Sequence, residues 1–286
     1  MRAGVIVVAG RPNVGKSTLV NALVGDKVAI VSRVPHTTRR RIFGVANGED
    51  WQLVLADLPG FQRPIDPLTE RMQETVDRSF EDVDAVLFVL SARDRIGAGD
   101  RFIARRVFAL GVPVVIALNK IDRLKLAHVA SQMKEASRLG DFHALHPVSA
   151  KTREGVAELR DDLVSLLPEG PMLFPREQAT DLALEVRVAE VIREKALELT
   201  REEVPHSVTV EIDEIADRSL RAFVVVETES QKGILVGRSG AMIREIGTRA
   251  RPEVEALLGR RTYLELVVKV RPRWRRDPKE LERLGL

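Results

Sequence analysis

The sequence predicts an α/β fold in which a doubly wound, mostly parallel sheet is followed by a smaller α+β domain. Three observations support this prediction. Short apolar runs typical of strands alternate with helix-like segments over residues 1–168, which favours a parallel sheet. Polar motifs follow directly after several of these strands, where the ligand sites of such sheets lie. Three prolines between residues 168 and 175 then indicate a linker over 169–181, before a second domain over 182–286.

Length and composition indicate a two-domain cytoplasmic protein. The 286 residues are 44% hydrophobic and 30% charged, and they include no cysteine, so a disulfide framework and a thiolate metal site are excluded. The longest apolar runs, such as residues 85–90 and 112–118, are far too short to span a membrane. The N-terminus shows no signal-peptide pattern. We expect a cytoplasmic monomer.

Periodicity and turn residues predict the elements of the first domain. Asn47 and Gly48 indicate a hairpin between the second and third strands. The fourth and fifth strands are apolar on both faces, which is typical of strands buried inside a parallel sheet. The predicted strands are residues 5–9, 40–46, 51–55, 85–90, 113–118 and 146–149, and the predicted helices are residues 17–24, 68–83, 100–110, 126–139 and 154–167.

Residues 10–17, Gly-Arg-Pro-Asn-Val-Gly-Lys-Ser, fit the pattern G-x-x-x-x-G-K-[ST] of a phosphate-binding loop, between a predicted strand and a predicted helix. Glycines let such a loop turn its backbone N–H groups toward phosphate, and the helix N-terminus adds more of them. Lys16 supplies charge for the outer phosphates, and the Ser17 hydroxyl can bind magnesium. A chance glycine-rich turn is the alternative. The predicted nucleotide contacts are Arg11, Pro12, Asn13, Val14, Gly15, Lys16, Ser17 and Thr18.

Two further stretches complete the predicted phosphate end of the site. Asp57 and Gly60 follow the third strand; the carboxylate can hold a magnesium-bound water, and the glycine N–H can contact the terminal phosphate. The loop 26–38 ends in Thr37 and Thr38, one of which can bind magnesium when a third phosphate is present. We favour Thr38. The alternatives are a plain turn at the first stretch and a solvated loop at the second.

Residues 119–122, Asn-Lys-Ile-Asp, follow a buried strand and are the predicted base-selecting element. One carboxylate can accept both N1–H and N2–H₂ of guanine, a pair that adenine lacks, so Asp122 can select guanine. The Lys120 stem can cover the base, and Asn119 can bridge to its acceptors. The tripeptide after the next strand can offer a backbone N–H to guanine O6. This tripeptide is Ser149, Ala150 and Lys151.

These five elements, in this order, resemble those of the translation-factor-related GTPases. The resemblance implies hydrolysis of GTP to GDP, with Mg²⁺ bound by Ser17, Thr38 and Asp57. The catalytic residues would then be Lys16, Asn13, Thr38 and Gly60.

Phe61 follows Gly60, where Ras-type enzymes carry a water-orienting Gln, so we expect slow intrinsic hydrolysis. Asn13 stands where potassium-dependent members carry an Asn that helps to hold a monovalent cation. Potassium at that position could stabilise the charge that develops on the phosphate. A role for Asn13 in loop geometry alone is the alternative.

The second domain carries a G-x-x-G loop between two predicted helices, and its surroundings resemble a KH domain of type II. Such a loop clamps about four single-stranded nucleotides. Residues 181–231 hold 6 basic and 13 acidic residues, whereas residues 232–276 hold 12 basic and 4 acidic ones, so we expect a basic face late in the chain. An ordinary helix–turn–helix with a solvated face is the alternative. The predicted RNA contacts are Lys232, Gly237, Arg238, Ser239, Gly240 and Arg244.

The elements predicted for this domain are three helices and three strands. The helices are residues 182–203, 231–236 and a stretch to 258 with a break at Pro252, the strands are residues 207–213, 222–228 and 263–270, and a basic tail follows at 271–276.

A GTPase domain followed by one KH domain resembles the bacterial Era family, and the match covers essentially the whole chain. The resemblance implies a small-subunit ribosome-assembly factor that binds the 3′ end of 16S rRNA, with loose peripheral membrane association. The strings that carry it are GRPNVGKSTLVNAL, PHTTRRRI, DLPGF, NKID, EEVPHSVTVEI and KGILVGRSGAMIREIG.

We therefore predict a GTP-hydrolysing switch in which residues 26–38 and 57–66 respond to the nucleotide and alter RNA binding. Two alternatives stay open. A P-loop ATPase or kinase would use the second domain for its substrate, and a non-enzymatic RNA-binding adaptor would use nucleotide only structurally. Asp122 argues against the first, and the predicted magnesium site argues against the second.

Overall fold

The chain divides into two compact units, as seen in a computed structural model that describes residues 1–61 and 63–286. The first unit comprises Met1–Ala29, Thr38–Pro64 and Arg71–Asp181, and the second comprises Ile30–Thr37, Ile65–Glu70 and Leu182–Leu286. The predicted linker therefore belongs with the first unit. Two short segments from the N-terminal part of the chain belong with the second.

The first unit is built on a six-stranded sheet in the order β2-β3-β1-β4-β5-β6. β2 is antiparallel to β3, and the other neighbouring strands are parallel, which confirms the predicted doubly wound fold. The strands are β1 (Arg2–Ala9), β2 (Ile42–Asn47), β3 (Trp51–Asp57), β4 (Ala85–Ser91), β5 (Val114–Asn119) and β6 (Ala144–Pro147), and the helices are α1 (Lys16–Val24), α2 (Pro67–Arg78), α3 (Ala98–Phe108), α4 (Leu126–Ala136) and α5 (Val156–Ser165).

Apolar side chains fill both faces of this sheet. Every residue of β4 and β5 is buried, because α1 and α5 contribute to the core on one face and α2, α3 and α4 to the core on the other. Side chains alternate between faces along a strand, so Leu87 and Val89 join one core while Phe88 and Leu90 join the other. The packed sheet fixes the turns at the carboxyl ends of its strands.

The predicted linker follows the β2–β3 hairpin. Through Oε1, the buried Gln52 accepts the backbone N–H groups of Leu173 and Phe174 at 2.7 and 2.9 Å, and its Nε2 donates to the Phe174 carbonyl at 2.9 Å. The Val45 N–H donates to the Ala179 carbonyl at 2.8 Å. Backbone groups that neither helix nor strand satisfies thus find partners on the hairpin.

The second unit has a three-stranded sheet in the order β7-β8-β9, with β7 antiparallel and β9 parallel to β8. The order of helices and strands agrees with the predicted type II KH domain. One apolar core joins the sheet to the two longest helices of the unit, α6 and α9. The elements are α6 (Leu184–Leu199), α7 (Val204–Ser207), β7 (Thr209–Ile215), β8 (Ser219–Val226), α8 (Glu229–Val236), α9 (Ala241–Leu258), β9 (Tyr263–Val270) and α10 (Pro278–Arg283).

The predicted break at Pro252 is wrong, because α9 passes through this residue without interruption. Proline removes one backbone N–H from a helix. Ala250 and Val254 on either side are both fully buried, and their packing in the core holds the helix together despite that loss. The helix ends instead at Gly259, whose φ is +66°.

The end of the chain is folded rather than a simple basic tail. Trp274 is fully buried, and its Nε1–H donates to the Ser207 carbonyl at 2.8 Å. The Asp277 side chain accepts the Lys279 N–H and so caps α10, which begins at Pro278. Asp followed by Pro is a helix-start signal, and it was available in the sequence.

Candidate functional site

Residues 10–17 form a tight turn between β1 and α1. Gly10 and Gly15 have φ angles of +153° and +98°, and Asn13 has one of +63°. A Cβ atom at Gly15 would lie 2.4 Å from Asn119 Nδ2, so this position requires glycine both for its backbone conformation and for space. Because α1 begins at Lys16, the first N–H groups of the helix are available to an anion.

Lys16 lies inside this loop with only 7% of its surface exposed. Its Nζ donates to the carbonyls of Gly10 and Arg11 at 3.2 Å each. Burial lowers the pKa of Lys16 to about 8, against the opposing effect of Asp57. Phosphate is a favourable partner for an ammonium group that burial has desolvated to this extent.

Three side chains from separate segments meet beside Lys16. The Ser17 hydroxyl donates to Asp57 Oδ2 at 2.6 Å, and Thr38 Oγ1 lies 3.1 Å from Ser17 Oγ and 3.4 Å from Asp57 Oδ2. Thr37 instead donates to the Val34 carbonyl at 2.7 Å. The geometry therefore favours Thr38, the residue chosen from the sequence, as the threonine of this site.

The same three residues fit a magnesium site. Asp57 is fully buried, and over the described residues its Oδ1 has no hydrogen-bond partner. Burial raises the pKa of Asp57, while Lys16 and the hydroxyls of Ser17 and Thr38 act in the opposite direction. Carboxylate and hydroxyl oxygens are the hard ligands that Mg²⁺ prefers, and a bound cation would satisfy the orphaned oxygen.

Gly60 lies directly against the phosphate loop. A Cβ at this position would be 2.8 Å from Pro12 Cγ and 2.9 Å from Pro12 N. The next residue, Phe61, is buried and stacks on Phe80 with ring centroids 5.8 Å apart. Its side chain is therefore part of the apolar core. Residue 62, within the predicted switch 57–66, lies outside the described residues.

Asn119 ties the predicted base-selecting element to its neighbours. Its Nδ2 donates to the Val14 carbonyl at 3.0 Å, and its Oδ1 accepts the N–H groups of Lys120 and Ala150 at 2.8 and 3.0 Å. Lys120 Nζ donates to the Asn13 carbonyl, and burial lowers the pKa of Lys120. Asn119 thus holds the phosphate loop and both base-site segments in register.

Asp122 is held at both of its carboxylate oxygens. The hydroxyl of the buried Ser149 donates to Oδ1 at 3.1 Å, and Arg93 Nη2 donates to Oδ2 at 2.6 Å. Arg93 was not predicted from the sequence. Its place just after a buried strand was a signal for a position near Asn119, because β4 and β5 pair Ser91 with Asn119, but not for its pairing with Asp122.

The remaining predicted nucleotide residues lie around these groups. Arg11 pairs with the buried Asp100, Nη1 to Oδ2, at 3.2 Å. Thr18 lies in the first turn of α1, and Lys151 is exposed after Ala150. The structure therefore brings residues of all five predicted elements together at the carboxyl ends of the strands of this sheet.

In the second unit, the G-x-x-G loop is a narrow turn between α8 and α9. Gly237, Ser239 and Gly240 have φ angles of +71°, +50° and +77°. A Cβ at Gly237 would lie 2.8 Å from the backbone nitrogen of Met242, so a side chain there would meet backbone. The turn leaves Arg238 and Ser239 exposed, which is what a backbone clamp on nucleotides requires.

Basic and apolar side chains flank this turn. Arg244 is exposed on α9, and Lys232 Nζ lies 3.9 Å from Glu229 Oε2 on α8. Ile234 is 49% exposed and offers an apolar surface beside the charges. Aliphatic contact and phosphate pairing are therefore both available near the loop.

The predicted basic tail differs from this face. Arg271 Nη2 pairs with Glu211 Oε2 at 2.6 Å, and Arg275 Nη2 pairs with Glu227 Oε2 at 2.8 Å. These arginines neutralise acidic side chains of the preceding half of the unit. The charge of these two arginines is therefore already paired within the unit, whereas Arg273 and Arg276 of the same segment are exposed.

Comparisons with known proteins agree with both halves of this description. The family model described as 50S ribosome-binding GTPase matches residues 5–120, and the KH domain model matches residues 203–275. GTPase Era of Mycolicibacterium smegmatis is 44% identical over 99% of this chain and 98% of its own length. GTPase Era of Heliobacterium modesticaldum is 41% identical over 100% of this chain and 97% of its own.

Two solved structures extend the likeness to the fold. A variant of Aquifex aeolicus Era bound to GDP·AlF₄⁻ is 38% identical with a TM-score of 0.96, over 100% of this chain and 99% of that one. Era in complex with MgGDPNP and nucleotides 1506–1542 of 16S ribosomal RNA is 39% identical with a TM-score of 0.95, over the same shares. The chain therefore belongs to the Era family of GTPases.

Proposed function

We propose that this chain is a magnesium-dependent GTP-hydrolysing switch that binds single-stranded ribosomal RNA during assembly of the small ribosomal subunit. The observation that carries this proposal is the meeting of Thr38 with Ser17 and Asp57. A threonine at the end of the loop 26–38 makes the conformation of that loop depend on the phosphates and their metal.

Each group at the phosphate end has a role in hydrolysis. Lys16 and the N–H groups of residues 10–17 bind the phosphates and stabilise the charge that develops on them. Ser17, Thr38 and Asp57 hold Mg²⁺, which when bound neutralises charge on the phosphate oxygens. Gly60 offers its N–H to the terminal phosphate, a placement supported by the contact of its backbone with the phosphate loop.

Asp122 selects guanine in this proposal, and nucleotide titration tests that choice. Affinity for GDP and ADP is measured for the wild type and for Asp122→Asn. We expect a strong preference for GDP that collapses in the variant, because the amide cannot accept at both positions. A wild type without preference would contradict the proposal, and a preference for the adenine nucleotide would favour the ATPase alternative.

Asn13 and potassium would take the place of the missing water-orienting side chain. The exposed position of Asn13 on the phosphate loop supports this assignment, whereas its φ of +63° also fits a role in loop geometry alone. Hydrolysis rates are compared in KCl and NaCl at equal ionic strength, for the wild type and for Asn13→Ala. We expect faster hydrolysis in potassium, with the difference lost in the variant. Equal wild-type rates in the two salts would remove potassium from the mechanism.

The RNA target is proposed from the G-x-x-G loop together with the ribosomal RNA segment held by the related Era structure. Gly237→Asp should weaken binding of a single-stranded oligonucleotide with the 3′-end sequence of small-subunit rRNA, and should leave GTP hydrolysis by the isolated protein unchanged. A scrambled oligonucleotide is the control. Unchanged affinity in the variant would refute this loop as the RNA site.

Sedimentation with purified ribosomal subunits distinguishes the two possible assemblies. We expect co-sedimentation with the small subunit. Because one matching family is described as 50S ribosome-binding, binding to the large subunit alone would replace the small subunit in this proposal.

We include in the proposal a monomeric, cytoplasmic protein with a peripheral membrane contact, supported by the family resemblance alone. Among residues 1–61 and 63–286, none of the helices combines the length and the hydrophobicity of a membrane-spanning segment. Light scattering reports the oligomeric state. Co-sedimentation with anionic vesicles reports the membrane contact, and its absence at low salt would remove that contact.

A further inference from the structure

We propose that Arg93 is a positioning residue for guanine recognition, which holds the Asp122 carboxylate in the orientation that accepts the base. This inference rests on the proposed base-selecting role of Asp122. It assigns a function to a residue that belongs to none of the nucleotide-binding motifs of the chain.

The contacts of Arg93 restrain the Asp122 side chain and its backbone together. One nitrogen, Nη2, lies 2.6 Å from Asp122 Oδ2 and 3.2 Å from the Asp122 carbonyl oxygen. Ser149 Oγ holds the other carboxylate oxygen at 3.1 Å. With a donor on each oxygen, rotation of the carboxylate is restricted. Each oxygen accepts two hydrogen bonds, so one acceptor position per oxygen is left for the two N–H groups of guanine.

The turn that carries Arg93 is itself fixed to the base-selecting segment. The Ala92 N–H donates to the Asn119 carbonyl at 2.7 Å, and the Ala92 carbonyl lies 3.0 Å from His128 Nε2 on α4. Arg93 follows this anchored residue directly, and Asp122 lies three residues after Asn119. The two partners therefore follow the carboxyl ends of neighbouring strands, β4 and β5, which pair Ser91 with Asn119, so little further order is lost when the base binds.

A merely structural ion pair is the competing interpretation, and exposure separates the two. The Arg93 side chain is 47% exposed, whereas that of Asp122 is 12% exposed. Because the guanidinium is half exposed and Ser149 still holds the carboxylate when it is removed, removal of Arg93 should change the unfolding temperature little. The orientation of this nearly buried carboxylate affects ligand binding more than folding stability, because guanine must bond both of its oxygens.

The test compares GDP with inosine diphosphate, which lacks the N2 amine but keeps N1–H and O6. Arg93→Ala should weaken GDP binding about tenfold, the value of one hydrogen bond to a charged group. It should weaken inosine diphosphate binding less, because that base uses one donor rather than two. Arg93→Lys should restore most of the GDP preference, because a single nitrogen makes both contacts in the wild type.

Arg95→Ala is the matched control, since Arg95 is an exposed arginine on the same loop. It removes the same charge and should change neither affinity. An unchanged ratio of GDP to inosine diphosphate affinity in Arg93→Ala would overturn the role of Arg93, as would an equal loss in Arg95→Ala. A wild type that does not prefer GDP to inosine diphosphate or ADP would instead overturn the base-selecting role of Asp122.

Discussion

At the scale of single residues, the motifs indicate which side chains meet at the predicted nucleotide site, but they do not indicate the hydrogen bonds and ion pairs that those side chains make. Lys16 and Ser17 could be predicted because their motif needs only a glycine-containing loop followed by a helix start, and both are recognisable in the sequence. Arg93 could not be paired with Asp122 from sequence, because 29 residues separate them and the pairing depends on two turns. The orphaned oxygen of Asp57 likewise emerges only once Ser17 and Thr38 are placed around it.

Adjacent threonines provide the first prediction, because they make different contacts. Thr38→Ala should weaken binding of a GTP analogue in the presence of magnesium about tenfold, through the loss of an oxygen ligand and a hydrogen bond. GDP affinity should change little. Isothermal titration with and without magnesium measures both. Thr37→Ala is the control, since Thr37 bonds Val34; if it carries the effect instead, Thr37 is the metal residue.

At the scale of elements, the hydrophobic pattern of the sequence predicts the strands well. The continuity of α9 and the path of residues 169–181 depend instead on tertiary packing. β9 has the predicted bounds, Tyr263–Val270, because turn residues delimit an apolar alternation there. The break expected at Pro252 did not occur, since core contacts outweigh one lost hydrogen bond. The path of residues 169–181 was also beyond sequence analysis. It depends on Gln52, a polar residue whose burial on β3 no pattern indicates.

Gln52 supplies the second prediction. Gln52→Ala leaves the N–H groups of Leu173 and Phe174 without their acceptor, at a cost of about 1 kcal/mol for each lost hydrogen bond. We expect a loss of about 1 kcal/mol in the opening free energy of each of these amides, measured by native-state hydrogen exchange. Gln73→Ala, which removes an exposed hydrogen bond to Asp77 on α2, should leave them protected. Unchanged protection in Gln52→Ala would show that other contacts hold this segment.

At the scale of the whole molecule, the division of the chain suggests how the nucleotide could influence RNA binding. The second unit includes residues 30–37, the larger part of the predicted switch loop. Within this unit, Arg193 Nη2 donates to the Thr37 carbonyl, and Glu194 Oε1 accepts the Val31 N–H at 2.8 Å. Both side chains are 2% exposed on α6. Separations of more than 150 residues put such contacts beyond sequence analysis.

The ion pairs of α6 extend to α9. Lys195 Nζ pairs with Glu194 Oε2 at 2.9 Å and with Glu253 Oε1 at 2.7 Å. Glu253 lies on α9, the helix that begins directly after Gly240. A movement of residues 30–37 would therefore disturb a set of ion pairs that also holds α9, the helix that follows the proposed RNA-binding loop. Packed groups of this kind have few alternative arrangements, which suits them to transmit a two-state change.

Arg193→Met tests this coupling, because methionine keeps an apolar stem of similar length and removes the bond to Thr37. It also removes the ion pair between Arg193 and Glu190, which lies within α6. RNA affinity is measured in the presence of a GTP analogue and of GDP. Coupling between two sites is typically worth 1–3 kcal/mol, and loss of this bond should reduce the ratio of the two affinities about fivefold, equivalent to about 1 kcal/mol. Nucleotide affinity without RNA should change less. Arg187→Met, on the same helix and partly exposed, is the control and should keep the wild-type ratio. If Arg193→Met also keeps that ratio, the nucleotide signal reaches the RNA site by another route, and the contact between α6 and residues 30–37 serves stability alone.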